Sequence, residues 1–81
     1  MKIYAIKDTV AGVFNLPFYQ KNNAVAIRAL TQAVNSNENN EIKQNVGDLQ
    51  LYCLGELNQE TGDITANIEF IINLVDLKQG E

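Results

Sequence analysis

The chain has 81 residues, ten of them acidic and six basic, for a net charge of −4, and this length predicts one domain, residues 1–81, with a small core. Binding to DNA through phosphates draws its affinity from concentrated positive charge, so the scattered basic residues argue against a tight, non-specific DNA-binding protein. The chain has no histidine and one cysteine, Cys53, which excludes imidazole catalysis, histidine metal ligands and an intramolecular disulfide.

The first elements predict a β-hairpin. Residues 2–7 form a short apolar run with β-branched and aromatic side chains, bounded by lysines, which is typical of a strand. A second extended run, residues 13–16, follows Gly12 and meets Pro17. Because proline has no N–H for a strand ladder, we expect this second strand to lie at a sheet edge or to stop at the proline.

The hydrophobic pattern changes period from Asn23 onward. Ile27, Leu30 and Val34 recur at positions i, i+3 and i+7, which predicts an amphipathic helix of about three turns. Asn22 or Asn23 is expected to cap its N-terminus. The asparagine-rich stretch that follows, residues 35–47, is predicted to be a solvated loop.

Two alternating runs predict a second hairpin. Residues 48–57 alternate with one mainly apolar face, and Gly55 inside the run indicates a bulge or the close approach of another backbone. A turn around Gly62 is predicted at residues 58–63. Residues 64–73 resume the alternation and are expected to pair with the preceding strand.

The element order β-β-α-β-β predicts an α+β fold, an antiparallel four-stranded sheet with one helix packed on one face. The other face is expected to be open to solvent and to carry Tyr52, Leu54 and Ile71. If these three are exposed together, they are candidates for an oligomer surface; the alternative is that they are scattered or covered by the C-terminal tail. Residues 74–77 either extend the last strand or form a short helical turn. A domain this small commonly gains from burying a further face, so a homodimer is expected.

No motif for catalysis is present, and we predict no catalytic residue, no cofactor and no metal site. Cys53 lies in an alternating strand without an identifiable base, so it is expected to be a small buried side chain. The carboxylates in the loops lack the glycine-centred calcium pattern, and Ser36 lacks a nucleophile-elbow context. An enzyme is therefore not expected.

No apolar stretch approaches the roughly 20 residues that span a bilayer, so a transmembrane helix and a membrane partner are not expected. The single cysteine and the lack of a secretory start before the first strand fit a reducing cytoplasm.

Residues 16–30 hold the candidate contact residues. Phe18 and the apolar helix stripe are expected in the core, which leaves Tyr19, Lys21 and the outward Arg28 as a possible shared patch for a partner or DNA. Aromatic side chains can also stack on bases with few phosphate contacts, although most aromatics of so small a chain are expected in the core. The aromatic candidates are Tyr4, Phe14, Phe18, Tyr19, Tyr52 and Phe70.

Several short motifs, taken in order, carry a family resemblance. They are Pro17-Phe18, Ala26-Ile27-Arg28-Ala29, Val34-Asn35, the run DLQLYCLGEL at residues 48–57, and Thr61-Gly62. In this order and spacing the chain resembles the small nonstructural protein of gokushoviruses, a branch of the Microviridae, which are tailless single-stranded-DNA bacteriophages. The chain departs from the family pattern before Asp48, where Asn-Pro is common, and at Leu57, where an aromatic is common.

The resemblance implies an early nonstructural protein, absent from the virion, that acts in the host bacterial cytoplasm during phage DNA replication. It further implies DNA binding, or the role of the microvirus factor that diverts replication toward single-strand synthesis and packaging. Because of the net charge of −4, we expect a regulator that works through phage or host replication and packaging proteins, as a homo-oligomer. The alternatives are a weak single-stranded-DNA-binding protein whose basic residues converge across a dimer, and an inhibitor of a host enzyme.

Overall fold

The computed structural model describes residues 1–79 and shows an α+β fold. Five strands form one sheet, and the main helix packs on one of its faces. The strands are β1 (Lys2–Asp8), β2 (Val13–Phe14), β3 (Phe18–Gln20), β4 (Leu49–Leu57) and β5 (Ile64–Asn73). The helices are α1 (Asn23–Val34) and α2 (Glu41–Gln44), with 3₁₀ turns at Val46–Asp48 and Leu74–Leu77. The predicted α+β class is confirmed. The predicted second strand, residues 13–16, is shorter as β2, and β3, which follows Pro17, is a fifth strand in place of the four predicted.

The sheet is antiparallel, in the order β2-β1-β4-β5, and β3 also pairs with β1. β2 pairs with the C-terminal end of β1 and β3 with its N-terminal end, on the side away from β4. Between them the chain leaves the ladder around Pro17, and the N–H of Asn15 donates to the Ile6 carbonyl at 2.8 Å. This edge is therefore interrupted where proline removes a donor, as the sequence predicts.

The core lies between the sheet and α1. Its members are apolar side chains from β1, α1, β4 and the last 3₁₀ turn: Tyr4, Ile6, Ala26, Leu30, Val34, Leu49, Leu51, Cys53, Leu74 and Leu77. Along β4 every second residue from Leu49 to Gly55 is buried, as the period of two of a strand requires. The C-terminal turn thus completes the core instead of extending β5.

Asparagine side chains fix both ends of α1. The Asn22 Oδ1 accepts from the Val25 N–H at 2.9 Å, which satisfies a donor of the first turn. At the other end, the Asn35 amide donates to the carbonyls of Thr31 and Leu77, both at 2.8 Å. The helix is therefore joined directly to the C-terminal 3₁₀ turn.

The prediction of a solvated loop over residues 35–47 is wrong in part, because α2 forms within it. The Asn40 Oδ1 caps α2 by accepting from the Lys43 N–H at 2.8 Å. Ile42 and Val46 pack against the core from this segment. Here asparagine acts as a helix cap as well as a turn residue. Among residues 1–79, no helix is long and apolar enough to cross a membrane.

The hydroxyl of Tyr4 ties β1 to the start of α1. It donates to the Asn23 Oδ1 at 2.5 Å, and the Tyr4 side chain is fully buried. Burial raises the pKa of Tyr4, and the nearby Cys53 and Glu69 raise it further. The neutral phenol that this hydrogen bond requires is therefore favoured by its surroundings.

Gly55 marks an irregularity shared by two strand pairs. The pairing of β4 with β1 and its pairing with β5 both shift register beside this residue. Its φ is +155°, and a Cβ placed on it would overlap the carbonyl oxygen of Thr65 and lie 3.1 Å from the Ala66 Cα. The predicted bulge or close backbone approach is confirmed, and the approaching backbone is that of β5.

Candidate functional site

The sheet face opposite α1, called the open face below, carries three aromatic rings side by side. Tyr52 belongs to this face because its neighbours Leu51 and Cys53 are in the core. Its ring meets Phe14 at a centroid distance of 5.2 Å and Phe70 at 5.6 Å, both edge-to-face. We call Phe14, Tyr52 and Phe70 the aromatic row; it runs across β2, β4 and β5.

Strand register brings the rings of the aromatic row together. Tyr52 lies opposite Ala5 on one side and Phe70 on the other, and the small Ala5 leaves room between the rings. Phe14 lies opposite Lys7 in the β1–β2 pair. Edge-to-face pairs of this kind contribute roughly 0.5–1.5 kcal/mol beyond their buried area, so the row is also a stabilising feature.

Lys7 places a positive charge over the aromatic row. Its Nζ lies 5.6 Å from the ring centroid of Phe14 and 5.9 Å from that of Tyr52. At these distances an ammonium is attracted to the ring faces, an interaction worth about 0.5–1 kcal/mol at an exposed site. The outer rings remain accessible, since Phe14 is 40% exposed and Phe70 is 46% exposed.

The predicted oligomer residues Tyr52, Leu54 and Ile71 do not form one surface. Tyr52 is on the open face, half-buried between its aromatic neighbours. Leu54 is half-buried at the register shift next to Gly55. Ile71 packs against the core on the α1 side, so its placement with Tyr52 is wrong. The cause is a register shift in the β4–β5 pair, which puts Phe70 opposite Tyr52 and Ile72 opposite Leu51.

The predicted contact residues Tyr19, Lys21 and Arg28 are all exposed, but the structure does not bring them together. Tyr19 alternates with Phe18, whose ring stacks on Tyr4 in the core at 5.9 Å, so Tyr19 lies on the open face. Arg28 lies on α1, on the other side of the sheet. Lys21 is in the connection between β3 and α1. The hypothesis of one shared patch is therefore wrong for Tyr19 and Arg28.

The aromatic row is the grouping that sequence reasoning missed. Phe14 and Phe70 were identifiable as stacking candidates by residue type, but their proximity depends on cross-strand register. Lys7 carried a usable signal, because it alternates with the buried Ile6 and so belongs to the open face.

The rest of the described chain offers little for chemistry. Residues 1–79 contain no group of three or more acidic or cysteine side chains that could hold a metal ion. Cys53 is a free, buried thiol whose Sγ lies 3.6 Å from the Gly55 carbonyl oxygen. A surface concavity near the β4–β5 turn is lined by Met1, Thr65 and residues 56–60, away from the aromatic row. The open face is therefore the candidate functional site, as a binding surface.

Comparison with curated proteins finds no match, and comparison with solved structures finds none either. A family model described as "Phage ORF5 protein" matches residues 1–77, nearly the whole chain. The phage origin that the resemblance implies is thereby confirmed. The chain belongs to the phage ORF5 protein family.

Proposed function

We propose that this phage protein regulates viral DNA replication, single-strand synthesis or packaging by binding phage or host proteins through the open face, as a homo-oligomer. The aromatic row carries this proposal, because it presents Phe14 and Phe70 to solvent on a face that α1 does not cover. Aromatic side chains are enriched in the centres of protein interfaces, where they give large contact area at small entropic cost.

The charge distribution favours a protein partner over a phosphate backbone. Lys7 is the cation that lies over the aromatic row, and the whole chain carries a net charge of −4. Binding through phosphates needs several basic contacts to overcome repulsion from an acidic protein. A protein partner could bind with an apolar pocket for the exposed rings and a carboxylate for Lys7. The open face provides both the rings and the ammonium group that such a partner would contact.

The proposed place of action is the cytoplasm of the infected bacterium, outside the virion. The resemblance to the gokushovirus nonstructural protein supports this location. An antibody against the protein is expected to detect it in infected-cell lysates and not in purified virions. Detection in virions at a constant copy number would contradict a nonstructural role.

Single-stranded DNA is a second candidate ligand, and the aromatic row is the observation that favours it. Bases stack on aromatic side chains for about 1–3 kcal/mol each, without sequence preference and with few phosphate contacts. Phe14 and Phe70 are the accessible rings, and Lys7 could meet one phosphate. Such binding would be weak and would decrease as salt rises.

The test of the proposed function replaces one ring of the aromatic row. A phage with a disabled copy of the gene is supplied with the wild-type protein, Phe14→Ala or the control Leu16→Ala. Leu16 is 90% exposed on the same sheet edge but lies outside the row. We expect Phe14→Ala to change the ratio of single-stranded to double-stranded viral DNA several-fold, and the control to match wild type. A folded Phe14→Ala protein that supports normal viral DNA would contradict the proposal.

Fluorescence anisotropy with a labelled single-stranded oligonucleotide separates the two candidate ligands. If the ligand is a protein partner, we expect no binding of the oligonucleotide at low or at physiological salt. If the ligand is single-stranded DNA, we expect binding that weakens as salt rises. The slope of the logarithm of the binding constant against the logarithm of the salt concentration should then be smaller by about 0.7 in Lys7→Ala, the value for one phosphate contact on a single strand.

A further inference from the structure

The two edges of the sheet differ in their capacity to accept another strand. One edge consists of the short strands β2 and β3, interrupted at Pro17. The other is β5, ten residues long, which pairs on one side with β4 and, within residues 1–79, has no strand on its outer side. β5 contains no proline, lysine or arginine, the residues that commonly prevent edge pairing. Its outer N–H and C=O groups are therefore a template for a further strand.

We propose that the exposed part of β5, Ile64–Phe70, pairs antiparallel with the same residues of a second copy of this chain, with Asn67 on the two-fold axis. Every residue of this segment is exposed, whereas the three that follow are half-buried, and two of them, Ile71 and Ile72, pack against the core. Asn67 is the midpoint of the exposed segment, so this register uses its whole length. It pairs Ile64 with Phe70, Thr65 with Glu69 and Ala66 with Ile68.

Charge supports this register. Glu69 is the one charged residue of β5. With Asn67 on the axis, each Glu69 carboxylate faces a Thr65 hydroxyl, and the two carboxylates are about 13 Å apart along the strands at ~3.3 Å per residue. That separation exceeds the Debye length of about 8 Å at physiological salt. An axis at Glu69 would instead place like charges directly opposite each other, which destabilises a strand pair.

The exposed apolar side chains of β5 add to the pairing. Ile64 is 66% exposed, Ile68 67% and Phe70 46%, and a second copy would cover part of each. Each isoleucine then meets a partner of different size, since Ile64 faces Phe70 and Ile68 faces Ala66. Seven residues a side are fewer than the roughly 20–30 of a standard interface, so we expect a dissociation constant in the micromolar range.

This inference deepens the homo-oligomer part of the proposed function by naming the surface and the partner. The two-fold axis of an antiparallel strand pair is perpendicular to the sheet, so the open faces of both copies lie on the same side. The two aromatic rows then belong to one continuous surface. The tests below use purified protein without DNA or partners, so their failure is distinct from failure of the Phe14→Ala phage assay.

The first test is the mass by light scattering over a dilution series. We expect the wild-type mass to rise with concentration from 9.0 kDa toward twice that value. Asn67→Lys puts two ammonium groups at the axis and is expected to stay monomeric. The matched control is Asn37→Lys, at an exposed position in the connection between α1 and α2, which is expected to dimerise like wild type. A wild-type protein that stays monomeric at millimolar concentration would overturn the proposal.

The second test measures register by disulfide cross-linking. Opposite residues in antiparallel strands have Cα atoms about 4.5–5.5 Å apart, within disulfide range. Asn67→Cys is expected to cross-link with itself, and Ile64→Cys only when mixed with Phe70→Cys, because the two copies of Ile64 are about 20 Å apart. The native Cys53 is buried and does not compete. The β4–β5 register shifts between Cys53 and Gly55, opposite the middle of Ile64–Phe70. The cysteine pairs therefore test residues on both sides of that shift. Efficient cross-linking of Ile64→Cys with itself would refute the register.

Discussion

Gly55→Ala is expected to destabilise the sheet far more than the addition of one methyl group suggests. Gly55 has φ of +155°, a conformation that residues with a Cβ rarely adopt. The added Cβ would also overlap the Thr65 carbonyl oxygen, which belongs to the backbone of β5 and cannot rotate away. The substitution therefore combines backbone strain with a collision between strands.

The magnitude follows from these two costs. A non-glycine residue held in a sparsely populated backbone region costs roughly 1–3 kcal/mol. Moving β5 away from the Cβ would break one or two ladder hydrogen bonds, at about 1 kcal/mol each. The sum is about 2–5 kcal/mol, whereas a domain of this length has a total unfolding free energy of about 4–12 kcal/mol. Gly55→Ala is thus expected to remove a large share of the stability.

Urea unfolding followed by circular dichroism measures this effect, and two other glycines serve as controls. Gly62 has φ of +83° with no atom within 4 Å of an added Cβ, so Gly62→Ala should show the backbone cost alone, about 1–2 kcal/mol. Gly47 has open space and no left-handed φ, so Gly47→Ala should stay within about 0.5 kcal/mol of wild type.

The comparison between Gly55→Ala and Gly62→Ala isolates the collision with β5. At an m-value near 1 kcal/mol/M, we expect the urea midpoint of Gly55→Ala to fall by about 2 M or more. Equal midpoint shifts for the two variants would refute the close approach of the β5 backbone. A Gly55→Ala protein as stable as wild type would refute the backbone-strain contribution as well.

Two further substitutions test how α1 is held. Asn22→Ala removes the cap on the Val25 N–H and should cost about 1 kcal/mol, which lowers the thermal midpoint by about 4–8 °C; an unchanged midpoint would contradict the cap. Tyr4→Phe removes the hydrogen bond to Asn23 and should cost about 1 kcal/mol near neutral pH. Because burial raises the pKa of Tyr4, its contribution is complete below the ordinary pKa of about 10 and is lost as the pH rises through the higher folded-state value. Unfolding free energies measured at increasing alkaline pH should therefore converge for wild type and Tyr4→Phe, and a constant difference would contradict this linkage.

The elements that follow a local period were predictable, and those that depend on a partner strand were not. Residues 48–57 alternate and the helix stripe repeats because burial on one face imposes those periods. Pro17 and Gly55 indicated an edge and a close approach because their backbone chemistry is local. α2 was missed because four residues are too few for a periodic signal, and its cap, Asn40, was interpreted as a turn residue.

The candidate site depended on the least predictable property, the register between strands. The face of Phe70 is decided by a shift against β4 that the alternation of β5 does not reveal. Phe14 belongs to a strand of two residues, too short to show a period. The assignment of Tyr19 and Arg28 to one patch failed because nearness in sequence does not report which side of the sheet a side chain occupies.

The interruption at Pro17 limits how far strand pairing can extend. A sheet with two receptive edges could add copies without end and grow into a fibril, the hazard of long, exposed apolar strands. Within residues 1–79 the edge formed by β2 and β3 lacks a continuous ladder, which leaves β5 as the edge that can accept a strand. Self-pairing through β5 alone uses the same surface on both copies and is complete at two. In the dimer proposed above, the proline would therefore keep assembly closed at two copies instead of letting it continue into a polymer.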